Sequence, residues 1–174
     1  MESDLEIRTA DADDINTIGY LAQQIWPVAY GEILSPAQLD YMLKLIYSPE
    51  ALKEQMNLQQ QFLIAELDED PVGFASYSSI SAEGLFKLHK LYVLPELHGK
   101  GLGKAFLDFI TEEIISLGAT TLRLNMNRKN KAKFFYERNG FTIIKEEDVD
   151  IGNNYFMNDF VMEKRLVVEE FQKK

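Results

Sequence analysis

Residues 91–104 read LYVLPELHGKGLGK, a strand followed by a glycine-rich loop and the start of a helix. The glycines alternate at Gly99, Gly101 and Gly103, and the residues after them have the apolar spacing of an amphipathic helix. Glycine allows a close approach to the backbone, and the first N–H groups of a helix have no acceptor within the helix. We therefore predict an anion-binding loop, to which Lys100 and Lys104 add positive charge.

Two other kinds of phosphate-binding loop are excluded by the spacing. A Rossmann fingerprint and a Walker loop each require particular residues at defined positions. Those positions hold Lys104 and Phe106 for the first motif, and His98 and Ala105 for the second. A loop that only connects a strand to a helix is the remaining alternative. It is less favoured, because three alternating glycines cost backbone entropy and no turn requires all three.

The composition predicts a soluble protein and excludes several kinds of site. The 174 residues include no cysteine and only two histidines, which excludes disulfide scaffolds, thiolate zinc sites and a three-histidine centre, and we expect no metal. The net charge of −10 argues against a nucleic-acid partner. The N-terminus does not resemble a signal peptide, and no apolar run approaches the ~20 residues of a membrane span. We therefore expect a cytoplasmic location and no membrane partner.

The charge is distributed unevenly along the chain. Residues 1–70 carry 14 acidic and 3 basic side chains, a net −11. Residues 71–145 carry 6 and 11, a net +5, and residues 146–174 carry 8 and 4, a net −4. One interpretation is ordinary variation between solvated faces. The other is that the basic middle segment binds an anion and the acidic first segment attracts a cation.

Hydrophobic periodicity predicts a single mixed α/β domain over 1–174, with a core of about 5–165. Asp11 or Asp13 is the expected N-cap of the first helix, and Trp26-Pro27 is expected to end it. A serine followed by proline starts each of the next two helices. The predicted strands are 5–9, 62–67, 72–79, 85–93, 122–126, 141–145 and about 155–165, and two later helices are predicted at 102–117 and 130–139.

Two motifs resemble those of the GNAT superfamily of acyl-CoA-dependent N-acetyltransferases. The glycine loop resembles motif A, an Arg or Gln followed after two residues by Gly-x-Gly/Ala, with His98 at the Arg/Gln position. Residues 127–141, NRKNKAKFFYERNGF, are similar to motif B, in which Asn precedes Ala, Phe-Tyr and Gly-Phe. Lys129 stands where the usual Asn would be, so Asn127 or Asn130 is expected to take its part.

The resemblance implies the GNAT fold, a mixed and mostly antiparallel twisted sheet of about six to seven strands with helices on both faces. It implies a V-shaped opening between the strand ending at Val93 and the strand ending near Met126. The pantetheine arm of the co-substrate acetyl-CoA would bond there to backbone, and its pyrophosphate would bind the amides of the glycine loop. The residues that the resemblance assigns to acetyl-CoA are Leu91, Tyr92, Val93, His98, Gly99, Lys100, Gly101, Leu102, Gly103, Lys104, Asn127, Asn130 and Phe135.

Acetyl transfer needs a neutral attacking amine, a stabilised oxyanion and a protonated thiolate. The resemblance implies that the backbone N–H of Val93 stabilises the oxyanion and that Tyr136 protonates the thiolate. The alternative for Tyr136 is packing alone, as part of an aromatic helix face. His89 is a candidate base because its pKa suits proton removal near neutrality, and a water chain to a carboxylate is equally compatible.

The acceptor is predicted from residues 26–42, which are similar to the same stretch of bacterial spermidine/spermine acetyltransferases. Trp26, Tyr30 and Tyr41 are expected to form a wall for a polyamine or another small cationic amine. The alternatives are that these rings only cover the sheet, or that the acceptor is a protein N-terminus, a lysine, an amino acid or an aminoglycoside. A non-catalytic acyl-CoA-binding module also stays open, as does a homodimer through the last strands.

Overall fold

The computed structural model describes residues 4–166, so residues 1–3 and 167–174 of the predicted domain lie outside the described residues. The strands are β1 (Leu5–Ala10), β2 (Gln61–Leu67), β3 (Asp70–Ser79), β4 (Leu85–Val93), β5 (Thr121–Asn127), β6 (Thr142–Gly152) and β7 (Tyr155–Arg165). The helices are α1 (Ile15–Tyr30), α2 (Pro36–Tyr47), α3 (Pro49–Asn57), α4 (Leu102–Ser116) and α5 (Ala132–Arg138). None of these helices is both long and apolar enough to cross a membrane.

The strands form a seven-stranded sheet in the order β1-β2-β3-β4-β5-β7-β6. β4 and β5 are parallel, whereas β1/β2, β2/β3, β5/β7 and β7/β6 are antiparallel, which confirms the predicted mixed α/β fold. The chain divides into two compact units. The first unit takes in the residues up to Ser78 together with Lys90–Leu107, and the second takes in Ser79–His89 and the residues from Asp108 onwards.

The first unit contains β1–β3, α1–α3 and the end of β4. Leu5 of β1 lies opposite Leu67 of β2, and β2 turns into β3 through two residues with positive φ, Asp68 at 51° and Glu69 at 75°. The turn is therefore two residues long and β3 starts at Asp70, two residues earlier than predicted. The apolar face of α1 and the inner side chains of the strands form the core of this unit. They include Ile18, Leu21, Ala22, Ile25, Phe62, Leu63, Ile64 and Phe74.

Helix α1 is one turn longer than predicted, because Pro27 lies within it and does not end it. Proline removes one backbone hydrogen bond from a helix, at a cost of about 3 kcal/mol in a helix interior. Trp26 and Tyr30, four residues apart on one helix face, are both buried, and their ring centroids lie 4.5 Å apart. Burial of two aromatic side chains offsets the loss. Tertiary packing thus overrides the local preference of proline.

The second unit contains the start of β4, most of α4, and β5, α5, β6 and β7. Leu85 and Leu88 of β4 lie opposite Thr121 and Leu124 of the parallel strand β5. β7 lies between β5 and β6. Its core includes Ile110, Ile114, Leu122, Leu124, Met126, Val161 and Met162.

Strand β6 is eleven residues long, where the sequence predicted a short strand at 141–145. Its side chains are exposed along almost the whole length, so it has no alternating apolar pattern to recognise. Its position is set instead by pairing with β7, which extends from Thr142 opposite Glu163 to Gly152 opposite Tyr155.

Candidate active site

The glycine loop opens helix α4 and belongs to the first unit. Gly99 and Gly101 have φ of 82° and 79°, a conformation that glycine adopts far more readily than other residues. A Cβ at either position would meet no atom within 4 Å, so the positive φ, and not crowding within the protein, accounts for glycine here. The carbonyl of Gly101 accepts from the N–H of Ala105 at 3.0 Å, which forms the first turn of α4.

The backbone of this loop is accessible to an anion such as a phosphate group. The space beside both glycines is open, and the first N–H groups of α4 have no acceptor within the helix, so an anion can approach the backbone there. Lys100 and Lys104 are exposed, whereas Leu102 is buried and anchors the helix start. The predicted cofactor residues 98–104 are therefore brought together on one loop and helix end.

The end of β4 is tied to its surroundings by two hydrogen bonds. The Nε2–H of His98 donates to the carbonyl of Val93 at 3.0 Å, and the N–H of Leu94 donates to the carbonyl of Val72 at 2.9 Å. A Cβ on Gly73 would lie 2.6 Å from the carbonyl oxygen of Tyr92, so β3 passes very close to this strand end. His98 thus holds the strand end from which the resemblance takes the oxyanion donor, Val93.

The predicted acceptor residues Trp26 and Tyr30 are only 3% and 4% exposed. The Nε1–H of Trp26 donates to the hydroxyl of Tyr47 at 3.1 Å, and the hydroxyls of Tyr30 and Tyr92 are hydrogen-bonded at 2.9 Å. Burial raises the pKa of Tyr47 well above its ordinary value, so its hydroxyl stays protonated. The rings of Trp26 and Tyr30 are therefore core residues of the first unit, which agrees with the alternative that they only cover the sheet. Tyr41 is half-buried, and contact of these residues with an acceptor stays a prediction.

Lys90 is a buried cation that the sequence pattern did not single out. It is 7% exposed, and its Nζ donates to the amide oxygens of Gln55 at 2.7 Å and Gln60 at 3.1 Å. The ring centroid of Phe62 lies 5.1 Å from the same nitrogen. The alternation of β4 places Lys90 on the face opposite Leu91, so the lysine supports the strand from the core side.

In the second unit, the asparagines of motif B shape the turn between β5 and α5. The Oδ1 of Asn127 accepts from the N–H of Lys129 at 2.9 Å, and the Oδ1 of Asn130 accepts from the N–H of Ala132 at 2.9 Å. Asn127 is buried and Asn130 is half-buried. Both asparagines therefore hold the local backbone that leads into α5, and their contact with a cofactor stays a prediction.

The three consecutive aromatic residues of α5 have different environments. Phe134 is 57% exposed, Phe135 is half-buried, and Tyr136 is 7% exposed. The ring of Tyr136 packs edge-on against Phe135 at 5.1 Å and Phe141 at 5.4 Å between centroids. The residues thus do not form one uniform core face, and Tyr136 is the one that is held in place on both sides.

His89 and an unexpected carboxylate, Asp159, also belong to the second unit. His89 is half-buried, between the buried residues Leu88 and Lys90. Asp159 on β7 is 6% exposed, and only one of its oxygens has a hydrogen-bond partner among the described residues. Burial raises the pKa of Asp159 above its ordinary value, and the nearby charge of Glu147 adds to this rise. An Asp within a strand gives no sequence signal of such burial. Within 4–166, no cluster of His, Asp and Glu has the arrangement of a metal site.

Known proteins resemble this chain over most of its length. Residues 32–162 match the family described as "Acetyltransferase (GNAT) domain". A spermidine N(1)-acetyltransferase of Thermoplasma acidophilum is 32% identical over 92% of this chain and 97% of its own length. A ribosomal protein bS18-alanine N-acetyltransferase of Haemophilus influenzae is 31% identical over 58% of this chain and 65% of its own. The crystal structure of PaiA N-acetyltransferase of Thermoplasma acidophilum with coenzyme A has a TM-score of 0.78, with 31% identity over 93% of this chain and 99% of that one.

Proposed function

The chain belongs to the GNAT acetyltransferase family, and from this premise we propose that it acetylates a polyamine or a similar small cationic amine. The family defines the reaction class: the protein is an N-acetyltransferase that uses acetyl-CoA.

The observation that supports the use of acetyl-CoA most directly is the glycine loop at the start of α4. Gly99 and Gly101 turn the backbone with positive φ, and the open space beside them leaves the helix start accessible to an anion. In our proposal this loop binds the pyrophosphate, with Lys100 and Lys104 adding charge. Acetyl-CoA supplies an acetyl thioester, and the end of β4 provides the backbone groups that hold its pantetheine arm.

Two residues are proposed for the chemical step. The N–H of Val93 stabilises the oxyanion, and the hydrogen bond from His98 to the carbonyl of the same residue keeps this strand end in one orientation. Tyr136 protonates the departing thiolate, and packing between Phe135 and Phe141 restricts its ring to one position. His98 is therefore a positioning residue, whereas Tyr136 acts on the reacting group.

A cationic acceptor is supported by two independent features. The relative named as a spermidine N(1)-acetyltransferase is aligned over almost the whole chain. Residues 1–70 carry a net charge of −11, and the described carboxylates Glu32, Asp40 and Glu50 are exposed there. Such a field raises the local concentration of a polycation and is screened by salt. The KM for a polyamine should therefore rise with ionic strength.

A protein N-terminus is the second candidate acceptor, because a relative named for alanine acetylation is 31% identical over 58% of the chain. Release of free thiol from acetyl-CoA should be measured with spermidine, an alanine-starting peptide, a lysine peptide and free amino acids. We expect the largest kcat/KM with spermidine. Preference for the alanine peptide would replace the polyamine proposal, and binding of coenzyme A without turnover on any amine would contradict enzymatic function.

The part proposed for Tyr136 has its own test. Tyr136→Phe keeps the ring and deletes the hydroxyl, and we expect kcat to fall about 10²-fold or more. Tyr20→Phe is the matched control, since Tyr20 is 65% exposed on α1 and its substitution should leave kcat unchanged. Full turnover by Tyr136→Phe would show that another group protonates the thiolate.

A further inference from the structure

Asp159 lies at the centre of the three strands that end the sheet. On β7 it is directly opposite Asn127 of β5 on one side and Glu147 of β6 on the other. Its side chain is 6% exposed. The Oδ2 atom accepts from the Nδ2 of Asn125 at 3.3 Å, whereas Oδ1 is buried and has no hydrogen-bond partner within residues 4–166. One oxygen of this carboxylate is thus oriented by the protein and the other is left for a donor.

The same amide holds a second carboxylate. The Nδ2 of Asn125 also donates to Oε2 of Glu147 at 3.1 Å, so one side-chain amide connects the buried and the exposed acid. Asn125 and Asp159 lie on one face of the sheet, because residues two apart on a strand and residues directly opposite each other share a face. Asn125 therefore positions Asp159, and Glu147 links the pair to the surface.

The cations around Asp159 do not neutralise it by direct contact. Among the described residues Asp159 makes no ion pair, although Lys87 of β4 and Arg128 favour its charged form from a distance. Arg128 is engaged by Glu146 and Asp148. Arg123, which lies opposite Lys87 in the register, is paired with Glu163, at 2.6 Å between Nε and Oε2. Asp159 is thus a buried carboxylate with an unused acceptor oxygen.

Such an arrangement has a stability cost that a purely structural residue would avoid. Buried polar atoms are almost always hydrogen-bonded, and each exception calls for an explanation. Carboxylates whose pKa is raised by burial concentrate at functional sites, where a raised pKa makes them better proton acceptors. The reaction of this enzyme needs a proton acceptor, because an alkylamine is an ammonium ion at neutral pH and must lose a proton before it attacks.

We propose that Asp159 is the base that takes the proton from the acceptor amine, an inference that rests on the proposed function. Oδ1 accepts the proton from the ammonium nitrogen, directly or through one water molecule. The neutral nitrogen then attacks the acetyl carbonyl carbon, a C–N bond forms, and the C–S bond breaks. Tyr136 protonates the thiolate, and the second proton of the newly bonded nitrogen restores Tyr136. The products are therefore the amide, the thiol and one proton on Asp159, which is then released to solvent.

The test is the pH profile of Asp159→Asn, with Glu112→Gln as control. The control removes an exposed carboxylate of α4 that lies outside this cluster. At neutral pH we expect kcat/KM for spermidine to fall about 10²-fold or more in Asp159→Asn. The loss should shrink as pH rises, because the neutral fraction of the amine grows about tenfold per pH unit below its pKa. Unfolding temperature and coenzyme A affinity should stay close to or above those of the unsubstituted chain.

Two results would overturn this role for Asp159. One is unchanged turnover in Asp159→Asn, and the other is a loss of equal size at every pH, which a merely structural effect produces. His89→Gln tests the competing base. If kcat/KM falls in a pH-dependent way in His89→Gln and does not fall in Asp159→Asn, His89 is the base. If Asp159→Asn fails to fold, Asp159→Ala is assayed with and without formate. Turnover restored by formate would support the role of Asp159 as proton acceptor. Failure of formate to restore turnover would count against that role. An unsubstituted protein that acetylates no amine would instead refute the proposed function.

Discussion

Replacing Gly101 with alanine separates two explanations of the glycine loop. The residue has φ of 79°, so a Cβ is strained whatever surrounds it, by roughly 1–2 kcal/mol. For a chain of this size, each kcal/mol lowers the unfolding temperature by about 2–4 °C. No protein atom lies within 4 Å of the added Cβ, so crowding contributes nothing further to the free energy of unfolding.

A bound pyrophosphate changes this account. If the backbone at Gly101 holds an anion, the methyl group displaces it and weakens charge-assisted hydrogen bonds that are worth about 1.5–3 kcal/mol each. We then expect the Kd for coenzyme A to rise by roughly 10-fold to 100-fold. The loss of affinity should therefore exceed anything that the change in stability explains.

The matched control is Gly118→Ala. Gly118 follows the C-terminal end of α4, has φ of 94°, and has equally open surroundings, so its substitution carries the same backbone strain without a predicted ligand. Unfolding temperature and calorimetric titration with coenzyme A are measured for both variants. Equal drops in unfolding temperature with a raised Kd only in Gly101→Ala support the reasoning. Equal Kd values in the two variants would refute it, because the loop would then carry strain without binding the cofactor.

Three further predictions concern stability. Tyr47→Phe leaves the buried Nε1–H of Trp26 without its acceptor, so we expect the free energy of unfolding to fall by about 1–3 kcal/mol in urea unfolding at any pH between 6 and 8. Asp159→Asn should raise the unfolding temperature at neutral pH. The pKa of Asp159 is raised in the folded protein, so the unsubstituted protein loses stability as the pH rises through that raised pKa, and the difference from Asp159→Asn should vanish in acid. Asp14→Asn should do the opposite: Arg8 lowers the pKa of Asp14, so the stability it confers is present at neutral pH and lost as pH falls through that lowered pKa.

Each of these three has an outcome that contradicts it. Tyr20→Phe serves as control for the first, and an equal effect of both tyrosine substitutions would mean that the hydrogen bond from Trp26 contributes nothing. For the two aspartates, thermal unfolding followed from pH 3 to pH 8 should show curves that diverge from the unsubstituted protein in opposite directions as pH rises. Parallel curves would show that neither carboxyl group has a shifted pKa.

The elements that the sequence predicted best are those with both a clear pattern and clear ends. β4 and β7 have the predicted bounds, since apolar alternation or β-rich composition is stopped by Pro95 in one case and starts after a glycine-asparagine turn in the other. The glycine loop between β4 and α4 could be predicted equally well, because its conformation depends only on local backbone geometry. Local signals therefore sufficed where local forces decide the structure.

The parts that could not be predicted depend on distant partners. The end of α1 depends on the burial of Trp26 and Tyr30, which outweighs the preference of Pro27. The length of β6 depends on its pairing with β7, and the burial of Asp159 on the register of three strands that are separate in sequence. None of these is visible in a window of neighbouring residues, and Asp159 in particular looks like any solvated strand residue.

Strand β6 has a further consequence, for the behaviour of the protein at high concentration. It is the last strand in the sheet order, and among residues 4–166 the strand register pairs it with β7 alone, so its other edge is an edge of the described sheet. Such an edge is a template for strand addition between molecules. Its exposed carboxylates repel a second copy at neutral pH, while Ile143 and Ile144 beside them are 38% and 45% exposed. Salt screens this repulsion, so the protein should aggregate through this edge more readily at high ionic strength.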